Sequence, residues 1–182
     1  QWPVSLLILD GSDEPIQPDF LELGVARAEV YSALDIGERF LFAASNIKTN
    51  FACLHSDDDF TIARGAARAI EWLRNNPDYI CVSSDVQLFD SELNTCSAPP
   101  GKWVLADTPG DRVVEHLSDY RFSYFYGIQR TPPLSAALRA VVAATNAPAF
   151  IEYPNSSIGQ ELGLEICGAA LGRLAKSPEV LL

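Results

Sequence analysis

The sequence predicts an α/β fold: a three-layer sandwich around a mostly parallel central sheet. Three observations predict it. Apolar runs alternate with stretches of helical periodicity. The first two runs are continuous rather than alternating, as in strands buried on both faces. Each of those runs ends in an acidic turn, the position where open α/β sheets gather ligands.

Val4–Leu9 (VSLLIL) is the first strand, closed by Asp10-Gly11-Ser12-Asp13. Residues 13–24, with four acids and two prolines, predict a loop, and Ala28–Ser32 a short strand. Asp35 and Glu38 stand three apart, as N-cap and N3 of a capping box with Asp in the Ser/Thr place. Ile36, Phe40, Ala43, Ala44 and Ile47 follow at helical spacing. Phe51–His55 is the next strand, leading into Ser56-Asp57-Asp58-Asp59-Phe60. A helix starts near Thr61, carries Ile62, Ala66, Ala69, Ile70 and Leu73, and stops at Asn75-Asn76-Pro77. Tyr79–Ser83 is a third buried strand, extending toward Phe89. Residues 90–110 predict a long surface loop, Val113–Leu117 a helix, and aromatic-rich Phe122–Ile128 a strand. Pro133 fits the first turn of a helix running to about Thr145. Ser156 or Ser157 caps a last helix through Leu174.

Composition narrows the function. The 182 residues are 48% hydrophobic and 20% charged, enough apolar material for a sizeable core and too much for disorder. Thirteen basic against 24 acidic residues give a net charge of −11, which argues against nucleic acid as a partner. No stretch is apolar over the roughly 18 residues of a transmembrane segment; Leu134–Ile151 comes nearest and holds Arg139, Asn146 and Pro148. Cys53, Cys81, Cys96 and Cys167 lack zinc-type spacing, and three of them sit in apolar surroundings, so free thiols in a reducing compartment are expected. With no export signal, the expected location is cytoplasmic, or peripheral at the inner membrane face. The chain begins with Gln1 and holds no Met, so a processed or excised piece is expected.

The triple aspartate is the strongest local signal. In an extended turn Asp57 and Asp59 project to one side and Asp58 to the other. Two carboxylates on one side suit a hard cation, Mn²⁺ or Mg²⁺, with positions left open for phosphate oxygens. The plainer reading is a solvated acidic loop that caps the next helix. Asp10-Gly11-Ser12 is a ligand-facing strand end or an ordinary turn, and it resembles the haloacid dehalogenase nucleophile motif except that Ser12 stands where a second Asp belongs. Glu161 and Glu165, four apart, share one helix face, which is a solvated face or the source of a general base. Arg130 can meet a phosphate or a surface carboxylate. His55 and His116 form no ligand pair, and the nucleophile-elbow, P-loop and dinucleotide motifs are absent.

Five segments in order, LLILDGS, KTNFACLHSDDDF, IARGAARAIEWLRNNPDYICVSS, DRVVEHLSDYRFSYFYGIQRTPPLSAAL and IGQELGLEICGAALGR, resemble a bacterial glycosyltransferase family related to glycosyltransferase family 2. The resemblance covers most of the chain. It implies the nucleotide-diphospho-sugar transferase (type A) fold as one domain over 1–182, with a nucleotide-sugar and metal half at 1–90 and an acceptor half at 91–182. It implies sugar transfer, inverting, from a nucleotide-diphosphate sugar (a UDP-sugar first) to a glycan or lipid-linked acceptor with Mn²⁺ or Mg²⁺. The nucleotide-binding set would be Asp10, Ser12, Asp57 and Asp58, with Asp10 at the base and Asp57 near the ribose. Asp57 and Asp59 would bind the metal, and Glu161 would be the catalytic base. The chain departs from the family in two ways. The fold's first strand would precede Gln1, and Leu162 follows Glu161 where an acidic pair is expected. A non-catalytic sugar- or nucleotide-binding module of a larger enzyme and a metal-dependent phosphatase with Asp10 as nucleophile are the alternatives.

Overall fold

A computed structural model describes residues 4–14, 27–33, 35–56, 61–83, 87–89, 95–97, 101–120, 124–145 and 157–177. The architecture is mixed α/β. Strand β1 (Ser5–Asp10) pairs in parallel with β2 (Arg27–Ser32). Helix α1 (Ile36–Asn46) follows, and Asp35 caps it as the sequence predicts, its side chain accepting the Glu38 N–H at 2.9 Å.

A four-stranded sheet forms the centre, in the order β3 (Phe51–Ala52), β7 (Ile128–Arg130), β4 (Tyr79–Ser83), β8 (Arg173–Lys176). It is mixed, not mostly parallel. β7 is antiparallel to both β3 and β4, while β8 is parallel to β4. β3 and β4 therefore run the same way, and β7 begins at the edge where both of them end.

The sheet is covered on both faces, and side-chain alternation decides which residue goes where. Cys81 and Leu174 point into a cluster with Phe40 of α1, Leu138 of helix α4 (Thr131–Thr145) and Leu164 of helix α5 (Ser157–Leu171). Their neighbours Val82 and Ala175 point the other way, onto Ala66, Ala69 and Leu73 of helix α2 (Ala63–Asn75). Leu7 and Leu9 of β1 pack on the first cluster, so the N-terminal strand pair shares the core of the rest. At the outer edge Val104 exchanges both main-chain hydrogen bonds with Leu174, each 3.0 Å, which closes the exposed side of β8.

Several expectations shift. The predicted loop 90–110 contains a strand, β6 (Thr95–Ser97), in an antiparallel hairpin with β5 (Gln87–Phe89). It also contains the start of helix α3 (Pro109–Ser118), capped by Thr108 with Pro109 in the first turn. The aromatic run does not form the predicted strand: residues 124–127 turn, and β7 starts only at Ile128. Buried hydrogen-bond partners outside the run hold that turn, as described below. The last helix stops at Leu171, short of the predicted Leu174. Arg112 ends it: its Nε and Nη2 donate to the carbonyls of Ala169 and Ala170, both at 2.8 Å. At Gly172 a Cβ would stand 2.5 Å from Ile80, so only glycine lets the chain turn there into β8. Of the loop predicted at 13–24, residues 15–24 lie outside the described residues.

Gly168 sets the approach of α5 to the Tyr124 ring, where a Cβ would come within 2.5 Å of ring carbon. Tyr124 is fully buried and cannot swing away. Gly168→Ala is expected to destabilise the protein by about 1–3 kcal/mol despite its better helix propensity, read as a lower urea midpoint with an unchanged slope.

Candidate functional site

β3 ends toward Ser56, the last described residue before the triple aspartate. Asp57, Asp58 and Asp59 themselves lie outside the described residues. Ser56 Oγ stands 3.4 Å from the hydroxyl of Tyr126, in the turn that precedes β7. The carboxyl end of β4 at Ser83 lies on the same edge, because β3 and β4 share a direction. His55 is exposed and contacts the Thr61 hydroxyl rather than sitting in the core.

The turn before β7 is held by a buried carboxylate. Glu165, on α5, is fully buried, so the solvated helix face expected for the Glu161–Glu165 pair is not what forms. Its Oε1 accepts the N–H groups of Tyr124 and Phe125, both at 2.8 Å, and its Oε2 lies 3.0 Å from the Tyr124 nitrogen. Nε2 of His116, also fully buried, lies 2.9 Å from Oε2. Burying a carboxylate costs several kcal/mol unless such partners surround it. Glu161 lies one turn earlier on the same helix and is half-buried. The two glutamates both act on Tyr120, whose phenol is pushed up to about 12 by burial first, then by Glu165 and Glu161. Cys81 is raised well above the ordinary thiol range by burial, with Glu165 and Cys53 adding to it.

Asp10 closes β1 and is buried. Its Oδ1 accepts from the Ser12 N–H at 3.0 Å and from the Ser12 hydroxyl, and its Oδ2 from the Ser32 hydroxyl at 3.1 Å. Ser12 is thus a partner of Asp10, on an exposed turn. A carboxylate engaged on both oxygens is oriented by its neighbours, an arrangement that suits holding a turn or a ligand better than nucleophilic attack. Arg39 of α1 lies against Gly11, with Nη1 donating to the Leu9 carbonyl at 3.3 Å.

Arg130 is hydrogen-bonded to main-chain carbonyls. Nε donates to the Tyr79 carbonyl at 2.8 Å and Nη2 to the Leu73 carbonyl at 2.5 Å, so the guanidinium caps the carboxyl end of α2 and ties it to β4. No group of three or more metal-ligating side chains occurs among the described residues, and no helix there is long and apolar enough to cross a membrane.

Spacing along the chain does not reveal the burial of Glu165, its contact with His116 or the place of Tyr126. The pairing of His116 with Glu165 spans two helices and has no spacing signature. Tyr126 enters only through the turn. Glu165 did carry a signal: it lies between Leu164 and Ile166 in an apolar helix, where a charge needs an internal partner. No protein-family model matches the chain, and no curated protein matches it either.

Two outcomes follow from these contacts. Arg130→Ala is expected to cost about 2 kcal/mol or more in unfolding free energy, since it strips charged donors from buried carbonyls, and Arg130→Lys is expected to recover only part of it. Burial pushes the Cys53 thiol up to about 11, above the ordinary thiol range. A raised native pKa adds stability that is fully present below the unfolded pKa and is lost as pH rises through the native one. The melting temperature is therefore expected to fall between pH 9 and 11, and less steeply in Cys53→Val.

Proposed function

We propose that the protein is a metal-dependent glycosyltransferase that moves a sugar from a nucleotide-diphosphate donor to a glycan or lipid-linked acceptor. One observation carries this reading beyond the sequence resemblance. Ser56, which leads directly into the triple aspartate, stands beside Tyr126 at the sheet edge where β3 and β4 end and β7 begins. Strand ends of this kind are where α/β sheets bind ligands.

The donor set at Asp57 and Asp59 is chemically suited to Mn²⁺ or Mg²⁺, which prefer carboxylate oxygen. When bound, the cation would neutralise charge growing on the leaving diphosphate. The remaining roles belong to the chain. Asp10, with Ser12 beside it, would contact the nucleotide base, and Asp57 and Asp58 the ribose side. Glu161 would take the proton of the acceptor hydroxyl as that oxygen attacks the anomeric carbon opposite the departing diphosphate, inverting the centre. A half-buried glutamate suits that task, because it keeps access to an acceptor while staying partly desolvated.

Calorimetric titration of UDP with and without Mn²⁺ tests the reading. Binding is expected to need the metal and to weaken at least about tenfold in Asp59→Ala. Glu161→Gln is expected to keep donor binding while lowering transfer by about a hundredfold or more. Metal-independent binding, or binding unchanged in Asp59→Ala, would overturn the assignment. Donor binding without turnover would favour a non-catalytic binding module instead.

A further inference from the structure

The segment from Tyr124 to Gly127 is gripped from both sides of its main chain. Its N–H groups at Tyr124 and Phe125 point to Glu165. Its carbonyls at the same two residues accept from Nε2 of Gln129, at 2.7 and 3.2 Å. The Gly127 N–H closes the turn on the Tyr124 carbonyl at 3.1 Å. Both side chains that make the grip are fully buried. With donors and acceptors of successive peptide units fixed in opposite directions, the turn has little freedom to rotate.

Tyr126 leaves this turn toward the sheet edge. Its ring packs edge-on against Phe125, with centroids 4.8 Å apart, and its hydroxyl reaches Ser56. The ring is half-buried, so the hydroxyl is anchored yet borders the edge. A phenol there can donate to a phosphate oxygen or exchange hydrogen bonds with a ribose hydroxyl.

An ordinary core position would take an apolar residue, which costs nothing to bury. Glu165 instead supplies the acceptor that two main-chain N–H groups need. We infer that Glu165 is a positioning residue for the ligand site: by holding the Tyr124 and Phe125 N–H groups, it sets the Tyr126 hydroxyl beside Ser56, where it contacts a bound nucleoside diphosphate. For the identity of that ligand the inference rests on the glycosyltransferase reading. Glu165 acts through hydrogen-bond acceptance, so Glu165→Gln, whose remaining oxygen can accept both N–H groups, recovers most of what Glu165→Ala loses.

The test combines UDP titration in the presence of Mn²⁺ with amide NMR spectra of the full chain without ligand. Tyr126→Phe is expected to weaken UDP about fivefold, the scale of one hydrogen bond, with an unchanged melting temperature. Glu165→Ala is expected to weaken it about tenfold or more at a temperature where the fold is intact, and to shift the amide signals of Ser56 and Tyr126. Glu165→Gln is expected to return most of the affinity. Wild-type affinity in Tyr126→Phe would overturn the inference, and that variant decides alone if Glu165→Ala does not fold. Spectral changes in Glu165→Ala that stop at residues 124 and 125 would overturn it as well. If the unaltered chain binds no UDP while Glu165→Ala still moves the Ser56 and Tyr126 signals, the glycosyltransferase reading fails and the positioning stands. If UDP binds through Asp59 and Tyr126→Phe is silent, the positioning fails alone.

Discussion

A carboxylate sealed from water must find its hydrogen-bond donors inside the fold, and Glu165 finds them in the main chain at Tyr124 and Phe125. Much of the molecule is arranged around that requirement. Helix α5 must present Glu165 inward, which Gly168 allows by letting the helix close on the Tyr124 ring. Helix α3 must bring His116 to the far side of the carboxylate. Arg112 then ties α3 to the end of α5 through the carbonyls of Ala169 and Ala170. One buried carboxyl group thus couples the turn to the helix just before it and to a helix whose Glu165 lies 41 residues further along the chain than Tyr124.

The turn also sits where the sheet changes direction. It lies at the edge where β3 and β4 finish, and β7 runs back from it between them. The result is a mixed sheet in which an antiparallel strand separates two parallel ones. That insertion brings Tyr126 next to Ser56 and so gives the sheet edge a phenol beside the residue that leads into the triple aspartate. Arg130, at the end of β7, caps the carboxyl end of α2 and ties it to β4.

Elements whose identity rests on local pattern were legible. The apolar run before Asp10 forms β1, Asp35 and Glu38 cap α1, and Asn75-Asn76-Pro77 stands where α2 ends. In each case the signal and the structure it specifies lie within a few residues. The aromatic run misled, because aromatic content suggests a strand while an acceptor from distant Glu165 and a donor from nearby Gln129 hold residues 124–127 in a turn. Residues 172–174 misled similarly: apolar periodicity continues past Leu171, but Arg112 and Gly172 end the helix from outside it. In the candidate site, Asp10 and Glu161 were visible as strand-end and helix-face acids, whereas the burial of Glu165 and its contact with His116 were not.

The sequence alone determined the mixed α/β character, most element positions, the strand-end acids and the excess of negative charge, since all of these follow from residue type and short-range periodicity. The tertiary structure decided the order and direction of the strands, the end of the last helix, the structural employment of Arg130 and the assembly of Glu165, His116 and Tyr126. These depend on pairing partners tens of residues apart, and no short-range pattern encodes which buried donor will satisfy which buried acceptor.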